Sequence, residues 1–138
     1  MPIYAAGKPH PLKAACGQIL RLAALNPGAF VTDAEVLQEL LHRYRGSEQW
    51  EVARARIEDF GTVMRDRVAP LLADDVLTAT RLADTHPRLS ARDLVHLAVL
   101  RRVGAGSIIT ADADFDAVDG VIRLDPADVA RWGAALER

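Results

Sequence analysis

The chain has 138 residues, half of them hydrophobic, which suits one domain over residues 1–138 with a single core. A net charge of −2 and a charged fraction of 26% argue against disorder and against a charged tail. Cys16 is the only cysteine, no apolar run approaches the ~20 residues needed to span a bilayer, and the opening MPIYAAGKPHP lacks a signal core. A soluble, cytoplasmic protein without membrane contact is therefore expected.

Residues 11–25 read as a helix opened by Pro11 and closed near Asn26-Pro27-Gly28. A very short strand is expected at 29–31. Thr32 then caps a helix to about Tyr44, with Glu35 completing a capping box and Leu37, Leu40, Leu41 and Tyr44 forming its apolar face. Ser47 opens a charged helix to about Arg67, with Gly61 as a candidate bend. A strand at 68–72 precedes a helix capped by Asp74 or Asp75, which runs to Thr85 and stops at His86-Pro87. Ser90 caps an apolar helix from Ala91 to Val103, closed by Gly104. Ser107 to Ala111 (SIITA) is a buried strand, followed by the acidic loop DADFDAVDG. Val121 to Leu124 is the last strand, and Pro126 opens a terminal helix. Helices alternating with short apolar strands imply an α/β fold with a parallel sheet covered on both faces.

Asp112 stands at the carboxyl end of the SIITA strand, where open parallel sheets bind ligands. A carboxylate there can hold a hard cation, although a turn or capping aspartate is the simpler account of position alone. Asp93 lies three residues after Ser90, in the first turn of the apolar helix. As a cap it is worth roughly 0.3–1 kcal/mol. Its face also carries Leu97 and Leu100, and an acid leaning to that side costs several kcal/mol if buried unpaired. A bound cation would offset that cost, which favours a ligand role. Glu39 has Arg43 four residues on, and an ordinary surface pair accounts for it.

Asp114, Asp116 and Asp119 add to the acidic loop, where clustered carboxylates repel one another unless a cation neutralises them. An EF-hand fails, because its glycine and glutamate positions hold Ala117 and Arg123. A DxD of the haloacid-dehalogenase kind would open the chain rather than come late and precede Phe115. His10, His42, His86 and His96 have no zinc spacing, and no glycine-rich phosphate loop or nucleophile elbow is present. Trp50 and Trp132 fit packing better than base stacking. Fifteen of the seventeen basic residues are arginine, the side chain suited to bidentate phosphate contact, although a GC-rich coding sequence gives the same bias.

Three stretches together resemble the PIN-domain ribonucleases, specifically VapC-like toxins of type II toxin–antitoxin systems: VTDAEVLQELLHRY at 31–44, LSARDLVHLAVLRRVGAGSIITADADFD at 89–116, and VIRLDP at 121–126. The middle stretch is the specific one. It joins an aspartate in the first turn of an apolar helix to a strand ending T-x-D-x-D-F. IYAAGKPHPLK at 3–13 also resembles the segment that follows the family's first strand. The resemblance implies a three-layer α/β/α sandwich with a short, mainly parallel sheet. It further implies a Mg²⁺- or Mn²⁺-dependent endoribonuclease that partners an antitoxin protein and forms a homodimer. Glu39, Asp93 and Asp112 are then catalytic metal ligands, with Asp116 assisting and Thr110 ordering the site. Metal-activated water would cleave RNA to a 5′-phosphate and a 3′-hydroxyl. Arg43, Arg45, Arg88 and Arg92 become candidates for gripping the RNA backbone, against an ordinary role as solvated charge. One departure stands out: the family's first acid, at the end of its first strand, falls before position 4, so both are expected in a short extension upstream of Met1. Two rival readings follow. One is a PIN-like module that binds antitoxin or RNA without cleaving. The other is a small phosphomonoesterase.

Overall fold

The computed structural model describes residues 9–136, and residues 3–8 of the resembling opening stretch lie outside them. Helix α1 spans Lys13–Leu25, two residues inside Pro11, and buries Cys16, Ile19, Leu22 and Ala23 at helical spacing. The Asn26 amide donates to the Leu22 carbonyl as the helix ends, and Pro27–Ala29 form a 3₁₀ turn where a strand was expected. The strand comes later: β1 is Thr32–Asp33.

Helix α2, Ala34–Tyr44, is capped by Asp33, whose Oδ1 accepts from the Val36 amide at 3.0 Å. The expected Thr32–Glu35 capping box does not form, because β1 engages Thr32 and its amide donates to the Arg67 carbonyl. Leu40 and Tyr44 are buried as expected, but Leu41 is half exposed. Helix α3 spans Trp50–Val63, shorter at both ends than the sequence suggests. Ser47 turns back to donate to the Tyr44 carbonyl. Asp66 adopts φ 64°, a left-handed conformation that aspartate tolerates, and it reverses the chain into β2, Val68–Ala69. The Arg67 guanidinium donates to the Ala23, Pro27 and Val63 carbonyls, tying the ends of α1 and α3 together.

Helices α4, Ala73–Leu82, and α5, Ala91–Arg102, pack closely against each other. Asp75 sits in the first turn of α4 and accepts from the Leu72 amide, so it is Asp75 and not Asp74 that meets the free helix end. Five side chains of α5 (Leu94, Leu97, Ala98, Val99 and Leu100) are buried, which makes it the central helix. Gly104, at φ 72°, ends that helix as expected. Strand β3 is Ser107–Ile109, β4 is Ile122–Leu124, and a short helix α6, Val129–Gly133, follows a 3₁₀ turn at Pro126–Asp128.

The fold is α/β and every strand pair is parallel. The single sheet expected from sequence is divided, however: among the described residues β1 pairs with β2, and β3 pairs with β4. Strands of two or three residues carry too few hydrogen bonds to impose continuity on their own. Residues of both β1 and β3 line one cleft of about 880 Å³ between the two pairs. Three apolar clusters surround it. Phe115 and Val118 pack with Leu89, Leu94 and Leu97; Leu40 packs with Phe60 and Met64; and Ile19 packs with Leu22 and Val129.

Candidate active site

Both β1 and β3 deliver polar side chains at their carboxyl ends, the side from which parallel sheets receive ligands. Asp33 ends β1, while Thr110 and Asp112 follow β3. Helix α2 adds Glu39, and α5 adds Asp93 and His96. All six line the same cleft. Glu39, Asp93 and Asp112, singled out from sequence, thus line one cleft from three separate elements.

Each of the three is also engaged locally. Asp93 Oδ2 accepts from the Ser90 amide and hydroxyl while the Asp93 amide donates to Ser90 Oγ, so the capping role read from sequence is real. Asp112 caps the 3₁₀ turn at Ala113–Ala117, accepting from the Asp114 amide at 2.9 Å. Its own amide donates to Thr110 Oγ1, which orders the turn. Glu39 pairs with Arg92 at 3.2 Å rather than with Arg43, and Glu35 meets the same guanidinium at 3.3 Å.

Phe115 organises the acidic loop. Its ring is 1% exposed, and full burial of such a side chain contributes about 1.5–3 kcal/mol. The aspartates on either side are thereby directed outward. The cations that relieve their repulsion are arginines: Arg88 lies 3.3 Å from Asp114, and Arg123 bridges Asp116 at 2.8 Å and Asp125 at 2.9 Å. Hydrogen bonds from Arg123 hold the Asp125 carboxyl below the usual range, and those two carboxylates push the arginine up. Asp116 was expected to assist at the metal. It is instead paired, largely exposed and outside the cleft lining.

A PIN-domain family model matches residues 2–121. The chain belongs to the PIN domain family, in its VapC branch. A VapC ribonuclease of Mycobacterium bovis is 34% identical over 124 residues, covering 90% of this chain and 94% of the relative. Ribonuclease VapC13 of Mycobacterium tuberculosis gives the same values. Ribonuclease VapC23 of Mycobacterium tuberculosis is 36% identical over 113 residues, covering 80% of this chain and 86% of the relative. No solved structure matches the chain significantly.

In this PIN domain the four candidate arginines separate. Arg43 is exposed on the cleft lining. Arg92 is held by the two glutamates and Arg88 by Asp114. Arg45 lies over the Trp50 ring, 5.5 Å from its centroid, which gives that tryptophan a packing role. Trp132 likewise packs beside Ile19 and donates to the Asp125 carbonyl.

Sequence reasoning missed a pair at the centre of the cleft. His96 Nδ1 lies 2.7 Å from Asp33 Oδ2. Burial pulls the imidazole pKa down, but the hydrogen bond and charge of Asp33, with the charges of Glu39 and Asp93, outweigh it and raise the pKa overall. One signal was available: His96 follows Asp93 by one helical turn. Asp33 was concealed by a stretch in which Thr32 looked like the cap.

Carboxylate oxygens are the donors that Mg²⁺ and Mn²⁺ prefer. Among the described residues, however, no three acidic, histidine or cysteine side chains stand close enough to hold one ion. Donor chemistry therefore fits a divalent cation, while the spacing of these side chains does not enclose one. No described helix is long and apolar enough to cross a membrane.

Proposed function

We propose that this PIN domain is a divalent-metal-dependent endoribonuclease and the toxin half of a toxin–antitoxin pair. The observation that carries the reading is that Glu39, Asp93 and Asp112 line one cleft at the carboxyl ends of parallel strands. That its relatives are ribonucleases by name supports the substrate class. Glu39, Asp93 and Asp112 would have to close on Mg²⁺ or Mn²⁺ to hold it, and the ion would supply a polarised phosphate oxygen and a more acidic water. Arg43 meets the phosphate backbone at the cleft rim. Arg92 must leave Glu39 for that carboxylate to take a metal. A cognate antitoxin protein would cover the same cleft, and the toxin would act as a cytoplasmic homodimer.

The test is cleavage of total RNA with Mn²⁺ by the unmodified chain and by Asp93→Asn. Cleavage by the first and none by the second supports the proposal; equal cleavage by both removes Asp93 from the site. A second reading, a module that binds RNA or antitoxin without cutting, is favoured by the spacing of the acids. Calorimetry with Mn²⁺ separates the two, since only the enzyme requires a metal site that Asp93→Asn weakens. Hydrolysis of p-nitrophenyl phosphate with RNA left intact would instead support a phosphomonoesterase.

A further inference from the structure

We propose that His96 is a substrate-positioning residue: clamped by Asp33 through Nδ1, it presents Nε2 to a phosphate oxygen of RNA bound in the cleft. This inference rests on the ribonuclease reading. It does not follow from the acidic site itself, which gives histidine no part.

The clamp is rigid because Asp33 is held from two sides. Its Oδ1 accepts from the Val36 amide as the cap of α2, and its Oδ2 meets His96 Nδ1. Asp33 is 8% exposed and cannot easily turn away. An ionised carboxylate only accepts, so Nδ1 carries the proton and Nε2 is the nitrogen left for other partners. No described residue hydrogen-bonds Nε2. No buried side-chain nitrogen or oxygen lacks a partner among the described residues either, so Nε2 is open to the solvent-accessible side of the cleft.

The charge balance shows why a donor is needed there. Asp33, Glu39, Asp93 and Asp112 line the cleft, and among its described lining residues only Arg43 and His96 can carry positive charge. Four carboxylates repel a phosphodiester. Arg43 is exposed, whereas His96 is largely buried in the cleft wall and paired with Asp33. In its imidazolium form, which the Asp33 contact favours, the ring donates through Nε2 as well as Nδ1. It can then fix one non-bridging oxygen while the carboxylates face the scissile bond.

Two substitutions divide the ring into halves. His96→Asn keeps an amide donor near the Nδ1 position for Asp33 and removes the far nitrogen. His96→Gln keeps a donor near Nε2 and abandons Asp33. Binding of a fluorescein-labelled single-stranded RNA is read by anisotropy in EDTA, where cleavage is silent. The expected result is a Kd about tenfold weaker for His96→Asn, the loss of one hydrogen bond to a charged group, measured at a temperature where circular dichroism shows every variant folded. His96→Gln should retain more affinity than His96→Asn. A purely structural histidine predicts the reverse order, and that order overturns the proposal, as does equal affinity in all three proteins. In the unmodified chain, the His96 Nε2 resonance should shift as RNA is added, and an unmoved resonance at saturation also overturns it. Failure of the unmodified chain to bind or cleave any RNA removes the ribonuclease reading itself, and this proposal with it.

Discussion

Asp75→Asn should destabilise the protein by about 2–3 kcal/mol without touching the cleft. Asp75 is 3% exposed. It receives Arg102 Nε at 2.7 Å and Nη2 at 3.0 Å, and its Oδ2 also accepts from the Leu72 amide at 2.8 Å. Hydrogen bonds to charged groups contribute about 1.5–3 kcal/mol each, against about 1 for neutral ones. Asparagine keeps one acceptor, so two charge-assisted bonds become at most one weaker bond. The Arg102 side chain is 32% exposed, and water recovers part of what it loses. For a chain of this length the remainder lowers the midpoint by roughly 10 °C. Urea unfolding followed by circular dichroism at pH 7 measures the change. The hydrogen bond from Arg102, opposed by burial and helped by the Leu72 amide and the Arg102 charge, holds the Asp75 pKa below the usual carboxylate value. Its contribution is therefore full above the unfolded pKa of about 3.9 and is lost as pH falls through the folded value. A change below about 0.5 kcal/mol at pH 7, or one as large below pH 2 as at pH 7, would refute the argument.

Asp93→Asn should abolish RNA cleavage and change stability by less than about 1 kcal/mol, because the amide oxygen still accepts from the Ser90 amide; paired activity and melting measurements check this. Arg92→Gln removes the cation competing for Glu39, and Mn²⁺ affinity by calorimetry should rise about twofold to fivefold, the scale of a partly exposed ion pair. The His96 contribution to stability, with its pKa raised in the fold, is full below the unfolded value of about 6.5 and is lost as pH rises through the folded value. Urea unfolding between pH 5.5 and 8.5 should show that decline, and Asp33→Asn should flatten it; a stability that rises over the window contradicts the assignment.

Much of the architecture is local and so was legible in the residues. Ser90 and Gly104 bound α5 because one supplies a side-chain acceptor and the other a left-handed backbone, both dictated within a few residues. Asp93 could be singled out for the same reason, by its place beside Leu97 and Leu100. The strand before Asp112 placed it at a ligand-binding edge, but it and Glu39 became ligand candidates through the family resemblance. Partner choice across the chain was not legible. Arg43 is the sequence neighbour of Glu39, yet Arg92 takes it from another helix. Asp116 looked like a ligand until Arg123, seven residues on but across a turn, neutralised it. Sixty-three positions separate Asp33 from His96, and neither residue signals the other.

Composition and periodicity by themselves determined an α/β chain with an acidic loop, and they singled out Asp93. Those features follow from interactions a few residues long, which any window of sequence contains. Tertiary structure alone decided that β1 and β3 border one cleft, which carboxylates pair with arginines, and which histidine lines that cleft. These outcomes are set when distant elements pack, because charge pairing and desolvation depend on separation in space and not along the chain.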